Sequence, residues 1–68
     1  MRAIDLVRAS LEYGLLVRER NGWIFVHTTG ARFLPVSLRR RQHFSNQTIK
    51  TLIEDGEAVR EGDIVRAA

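Results

Sequence analysis

One dipeptide in the first third of the chain, Asn21-Gly22, constrains the fold most. It lies between two runs rich in branched and aromatic residues, 15–20 and 23–28. Asn-Gly in this setting is the strongest short-range signal for a β-hairpin, because both residues tolerate the positive φ angles of a two-residue type I′ turn. The sequence therefore predicts two antiparallel strands over 15–20 and 23–28.

With Asn21-Gly22 as the turn, the pairing of the strands and the membership of their two faces follow. In this pairing Arg18 lies opposite Phe25 and Leu16 lies opposite His27. One face is mostly aliphatic, and we expect it to face the core: it takes Leu15, Val17, Glu19, Ile24, Val26 and Thr28. The other face carries most of the cationic and aromatic residues: Arg18, Arg20, Trp23, Phe25 and His27.

Two helices are predicted on either side of the strands. Apolar residues recur at helical spacing over 3–13, and Gly14 is interpreted as a left-handed residue that ends this helix. A second helix is predicted over 46–55, with Ser45 as its N-cap and Gly56 as its end. Both segments place their apolar residues on one stripe, which we expect to pack on the sheet.

The remaining segments complete the expected fold. Residues 32–38 are predicted as a third strand at an edge, because Pro35 cannot donate a ladder hydrogen bond. Residues 56–68 are predicted to form an appended terminal hairpin. The expectation is a single α+β domain over 1–68, α-β-β-β-α, with two helices on one face of a three-stranded antiparallel sheet plus a short C-terminal β-hairpin.

Composition argues against several classes of protein. The chain has no cysteine, and its two histidines are not spaced as metal ligands, so we expect no metal and no cofactor. No apolar run approaches the ~20 residues of a membrane-spanning helix. Arg2 and Asp5 place charge inside what would be the apolar region of a signal peptide. We therefore expect a cytoplasmic protein with no membrane partner.

Charge is distributed unevenly along the chain. Residues 1–53 hold nine Lys and Arg against three acids, a net charge of +6, whereas residues 54–68 hold two Arg against five acids, a net charge of −3. A basic body favours a polyanionic partner. Ten of the eleven cations are arginine, whose planar guanidinium binds phosphate bidentately, although an arginine-rich codon usage explains the same bias.

The run Arg39–Arg41 stands just before the predicted second helix. Free N–H groups and the positive end of the helix dipole attract anions at a helix N-terminus, and neighbouring guanidiniums strengthen that attraction. The predicted phosphate-binding residues are Arg39, Arg40, Arg41, Ser45, Asn46, Gln47 and Lys50. The alternative interpretation is that the arginine run is only a solvated loop.

The cationic and aromatic sheet face is a second candidate site. Arg18, Arg20, Trp23, Phe25 and His27 combine cations with rings on which the bases of a single strand stack. The alternative is that the rings are covered by the terminal hairpin or a second chain, with arginines packed over them. Neither His27 nor His43 has a partner at the spacing of a catalytic triad, which argues against an enzyme. The enzyme class stays open, because a histidine beside an arginine cluster is a candidate general acid–base for RNA cleavage.

The order of these motifs resembles the HicA-type (YcfA-type) toxin family. The resemblance spans about residues 4–56 and rests on Asn21-Gly22, the segment 27–30 and Pro35-Val36. It implies a double-stranded-RNA-binding-like fold, because members of that family have this fold. Members of the family cleave mRNA and are held inactive by an antitoxin protein. Their catalytic histidine follows a glycine at the start of the second strand, whereas Trp23 follows Gly22 here. The resemblance therefore implies the fold and an affinity for RNA, and argues against nuclease activity.

Three functional hypotheses follow. The first is a small non-catalytic nucleic-acid-binding domain that prefers RNA to DNA and contacts phosphates through the arginine-rich loop and the helix N-terminus. The second is a protein-interaction or homodimerisation domain that uses the face of Trp23 and Phe25. The third is a winged-helix-like DNA-binding protein, with helix 46–55 on the bases and hairpin 57–66 as the wing. The acidic residues of that hairpin argue against the third.

Overall fold

Residues 2–28, 34–39 and 42–68 are the part of the chain that the structure, a computed structural model, describes. These residues form two helices, five strands and a short 3-10 helix. In chain order they are α1 (Ala3–Tyr13), β1 (Gly14–Glu19), β2 (Gly22–His27), the 3-10 helix (Val36–Leu38), β3 (His43–Phe44), α2 (Asn46–Glu54), β4 (Ala58–Glu61) and β5 (Ile64–Ala67). The predicted α+β class is confirmed.

The strands form one antiparallel sheet in the order β3-β2-β1-β5-β4. The terminal hairpin is therefore not an appendage, because β5 pairs with β1 through Leu16↔Val65 and Val17↔Ile64. The Arg18 N–H also donates to the Asp63 carbonyl at 2.8 Å. This docking covers an edge of β1 that would otherwise expose unpaired backbone groups.

The third strand lies later in the chain than the sequence predicts. Of the predicted segment 32–38, Val36–Leu38 is a 3-10 helix, while 32 and 33 lie outside the described residues. Pro35 has φ −55° and no N–H, which suits the entry to a tight turn better than a strand. The strand that pairs with β2 is instead β3, with Phe44 opposite Trp23.

The β1–β2 hairpin has a different register from the predicted one. Arg18 lies opposite Trp23, and Leu16 lies opposite Phe25, so the two turn residues are Arg20 and Asn21. The displacement is by two residues, which leaves each residue on its predicted face. The predicted register is wrong because Gly22 belongs to the strand and not to the turn.

Position 22 requires a glycine because of a neighbour that is remote in sequence. Its φ is 129°, and a Cβ atom built on it would lie 2.4 Å from the Phe44 carbonyl oxygen. The backbone of β3 thus approaches too closely for any side chain at this position.

Gly22→Ala is expected to lower the free energy of unfolding by about 2 kcal/mol or more, since it combines backbone strain with a clash. Urea unfolding followed by circular dichroism measures this loss. Gly62→Ala is the matched control, because Gly62 also has a positive φ, 61°, but a Cβ atom there would meet no other atom within 4 Å. Equal losses in the two variants would show that the approach of β3 is not the cause.

The helices begin and end close to their predicted bounds. α1 forms over the predicted residues 3–13, and the Ser45 hydroxyl caps α2 by accepting a hydrogen bond from the Thr48 N–H at 3.2 Å. Gly14 differs from the prediction, because its φ of 176° is extended and not left-handed. A Cβ there would lie 2.2 Å from the Val26 carbonyl oxygen, so Gly14 serves the close approach of β2.

The core lies between the two helices and the sheet face that carries Trp23. Its buried members are Val7, Leu11, Leu16, Trp23, Phe44, Ile49, Leu52, Ala58 and Val65, with Phe25 packed against them. The prediction that the aliphatic face is the core side is therefore wrong. The large rings of Trp23 and Phe25 occupy the space beneath the helices, and Arg18, on the same face, keeps its charged end exposed.

Candidate nucleic-acid interface

A cleft of about 400 Å³ lies between α2 and one end of the sheet. Its apolar lining residues are Trp23, Ile49 and Ile53, of which the first two are buried. Its polar lining residues are Arg18, Asn46, Lys50, Glu54 and Arg60, all of them exposed. The cleft therefore joins residues of β1, β2, α2 and β4, and has a buried apolar side beside an exposed polar one.

A hydrogen bond between Trp23 and Asn46 fixes one donor of the cleft. The Trp23 indole Nε1 donates to the Asn46 Oδ1 at 2.8 Å. An indole N–H can only donate, so the Asn46 side-chain oxygen must face it. The Asn46 Nδ2 is therefore not used by this hydrogen bond. Among the described residues this Nδ2 makes no hydrogen bond, and it remains available to an acceptor on a ligand.

Three cations line the cleft, and each is held differently. The Arg18 guanidinium makes no ion pair or hydrogen bond with any described residue. The Arg60 guanidinium lies 5.2 Å from the centroid of the Trp23 ring, and its Nε donates to the Gly62 carbonyl at 2.8 Å. The Lys50 Nζ lies 3.8 Å from the carboxylate of Glu54. Three cations against one carboxylate give the cleft a positive potential.

Two other acidic residues of the C-terminal segment lie in ion pairs outside the cleft. Glu57 accepts from the Arg8 Nε at 3.0 Å and from its Nη2 at 3.1 Å, and these hydrogen bonds raise the pKa of Arg8 above its ordinary value. Glu61 forms an ion pair with Arg66. None of these four residues lines the cleft, so the acidic charge of the segment does not cancel the cations there.

The predicted phosphate-binding set is divided by the structure. Asn46 and Lys50 line the cleft, whereas the Ser45 hydroxyl is engaged as the cap of α2 and Gln47 lies exposed on its first turn. The Arg39 Nε donates to the Leu34 carbonyl at 3.1 Å, which ties that side chain to its own loop. The prediction for residues 40 and 41 lies outside the described residues.

The predicted sheet-face set is divided as well. Arg18 and Trp23 line the cleft, while Arg20 lies in the β1–β2 turn and Phe25 packs against the core. His27 ends β2, with its ring centroid 6.4 Å from that of Phe25. Trp23 is only 2% exposed, so its ring does not offer a platform on which a base could stack. The alternative interpretation, in which an arginine packs over the ring, therefore describes Trp23, and the arginine is Arg60 of the terminal hairpin.

Arg60 is a residue of the cleft that the sequence reasoning missed. A signal is present in the sequence, since Ala58 and Arg60 alternate with Val59 and so share one face of β4. Two features conceal it. The net charge of −3 describes the segment as a whole, and a hairpin appended to the domain would bring no residue to the sheet.

Comparison with protein-family models, with curated proteins and with solved structures finds no significant match. Among the described residues, no helix is long and apolar enough to cross a membrane. The same residues contain no cluster of three or more His, Asp or Glu side chains that could hold a metal ion. The interpretation of the cleft therefore depends on its own geometry.

Proposed function

We propose that this protein is a small non-catalytic nucleic-acid-binding domain that prefers RNA to DNA. The observation that carries the proposal is the Arg18 guanidinium, which has no partner among the described residues and lies in a cleft with Lys50 and Arg60. A cation that lines a cleft without a carboxylate partner has hydrogen-bond donors available to an anionic ligand. A phosphate group is an anion that a guanidinium binds bidentately, through two parallel N–H···O bonds.

The remaining groups of the cleft suit the same ligand. The Asn46 Nδ2, the Lys50 ammonium and the Arg60 guanidinium are all donors, whereas Glu54 is the one charged acceptor among the lining residues. A volume of about 400 Å³ lies within the range of clefts that hold one small ligand, and it accommodates a single nucleotide unit of a longer strand. Contacts of this kind set the position of the strand without reading its sequence.

The preference for RNA is supported by the resemblance to HicA-type toxins. The expected layer order, with two helices on one face of an antiparallel sheet, is also the order observed here. Trp23 supports the proposal that the domain is non-catalytic, because it occupies the position at which the HicA-type family has its catalytic histidine. The Trp23 side chain donates a hydrogen bond to Asn46 and is only 2% exposed, so it cannot serve as a general base.

The two alternative functions have less support from the geometry. The face of Trp23 and Phe25 is the core side of the sheet, which removes it as an interface for a partner. The terminal hairpin continues the central sheet through β5, so it is not a wing separate from the sheet.

A salt-dependent titration tests the proposed function. Trp23 is the single tryptophan of the chain and lines the cleft, so its fluorescence reports on occupancy directly. We expect RNA to bind more tightly than DNA of the same sequence, to stay intact, and to give a linear fall of log K with log salt of about 0.7–0.9 per phosphate contact.

Two results would contradict parts of this proposal. The absence of measurable affinity for any nucleic acid at ~50 mM salt would reject it entirely. A tighter complex with duplex DNA than with duplex or single-stranded RNA would keep nucleic-acid binding and reject the preference for RNA.

A further inference from the structure

The Arg60 guanidinium is held in place over a buried ring. Its Cζ lies 5.2 Å from the centroid of the Trp23 ring, and its Nε donates to the Gly62 carbonyl at 2.8 Å. The ring is 2% exposed, whereas Arg60 is exposed and lines the cleft. With Trp23 on one side of it, the guanidinium has its accessible surface in the cleft.

We propose that the Arg60 guanidinium is a stacking surface for an unpaired base, so that the cleft binds single-stranded RNA in preference to duplex RNA. This inference rests on the proposed function, because it names the form of nucleic acid that the same cleft takes. Unpaired bases of RNA stack on arginine guanidinium planes as well as on aromatic rings. Trp23 contributes indirectly, by holding the guanidinium that the base contacts.

The apolar side of the cleft favours an unpaired base over a duplex. Ile49 and Ile53 line it together with Trp23, and Ile53 is only half-buried. The bases of a duplex stack on each other inside the helix, so its outer surface offers mainly sugar and phosphate groups to a concave site. The face of an unpaired base covers an apolar lining and removes it from water. A volume of about 400 Å³ suits one nucleotide better than the side of a double helix.

The carboxylate of Glu54 also favours a base in the cleft. Glu54 is the one acidic side chain among the lining residues and lies on α2 one turn after Lys50. A carboxylate repels phosphate and only accepts hydrogen bonds, so a strand bound through its phosphates alone gains nothing from it. The Watson–Crick edge of an unpaired base carries N–H donors, which base pairing occupies in a duplex. Glu54 therefore suits the edge of a base, whereas the cations of the cleft suit the phosphates.

Titrations of the wild-type chain with three matched RNA probes test the preference for an unpaired base. The probes are a single strand of about 12 nucleotides, which is within the usual site size, the duplex of that strand with its complement, and the same strand with abasic residues. We expect the intact single strand to bind about tenfold more tightly than either of the others, because the stacking of one base contributes roughly that factor. The abasic strand keeps the phosphates, so its loss measures the base alone.

Arg60→Lys separates stacking from charge. The variant keeps a positive charge for phosphate but lacks the planar guanidinium. We expect it to bind the single strand about tenfold more weakly, with an unchanged slope of log K against log salt and an unchanged affinity for the duplex. Arg66→Lys is the matched control, because Arg66 lies on β5 and does not line the cleft, and it should leave both affinities unchanged. Both positions are exposed, so urea unfolding should show an intact fold in each variant.

The stacking role and the proposed function fail on different results. A duplex that binds as tightly as the single strand, or an Arg60→Lys variant that binds the single strand like the wild type, overturns the stacking role of Arg60. In either case a loss of affinity in Arg18→Gln with Lys50→Gln retains the cleft as a phosphate-binding site. The absence of measurable affinity for any nucleic acid at ~50 mM salt rejects both together.

Discussion

Replacing both Arg18 and Lys50 with glutamine is expected to weaken RNA binding about 100-fold at ~50 mM salt, or roughly tenfold for each lost phosphate contact. Arg18 has no competing partner among the described residues, and Lys50 has only a weak one in Glu54 at 3.8 Å. Both side chains are therefore free to neutralise phosphate. The same substitution should flatten the slope of log K against log salt by about 1.4–1.8 units.

The matched control for this variant removes two positive charges elsewhere. Arg2→Gln with Arg66→Gln changes net charge equally, but Arg2 lies before α1, Arg66 lies on β5, and neither lines the cleft. A nonspecific effect of net charge predicts equal losses in the two variants, whereas a site in the cleft predicts a much smaller loss in the control. Because all four side chains are exposed, each variant should keep its fold to within ~0.5 kcal/mol per substitution.

The arginine run gives an independent comparison with the cleft. Substitution of Arg39, Arg40 and Arg41 by alanine is expected to flatten the salt slope by about 2–3 units if each neutralises a phosphate. A slope that changes in the cleft variant and not in the run variant confines the site to the cleft. The reverse result would reject the cleft and assign binding to the loop.

The sequence predicts local features of this fold well, because their causes are local. The periodicity over 3–13 and the Ser45 cap involve residues within a few positions of each other, and both are observed. The hairpin register is not predictable in the same way. Gly22 is fixed by the carbonyl of Phe44, a neighbour that becomes adjacent only once β3 has paired.

The core side is mispredicted for a reason of volume. Counting aliphatic residues favours the face of Val17 and Ile24, whereas the space beneath two helices is filled by the rings of Trp23 and Phe25. Arg18 does not exclude its face from the core, because a long cationic side chain packs its stem and keeps its charge in water.

The candidate site is predictable in parts but not as a unit. Asn46 and Lys50 follow from the exposed side of the second helix, and Arg18 from the cationic strand. Their meeting depends on α2 crossing the sheet near Trp23, which no spacing in the sequence encodes. Arg60 enters only with the docking of the hairpin through β5.

Trp23→Ala is expected to lower the free energy of unfolding by about 3–5 kcal/mol, the usual cost of truncating a buried tryptophan. Trp23 is 2% exposed, pairs with Phe44 across the sheet and donates a hydrogen bond to Asn46. A domain of this size has roughly 3–10 kcal/mol of stability, so this one change should unfold a large share of the molecules. Circular dichroism in urea measures the loss, since the variant has no tryptophan fluorescence.

Two milder variants separate the packing of Trp23 from its hydrogen bond. Trp23→Phe keeps most of the ring volume but removes the donor, whereas Asn46→Ala keeps the ring and leaves the indole N–H without its acceptor, at a cost of about 1–3 kcal/mol. Val36→Ala, at a position 77% exposed, is the control and should cost less than ~0.5 kcal/mol. If the bond joins β2 to α2 as described, the double variant Trp23→Phe with Asn46→Ala should cost less than the two single losses added together, because each change removes the same contact. Strict additivity, or a loss below ~1 kcal/mol for Trp23→Ala, would show that the cleft is not anchored on this side chain.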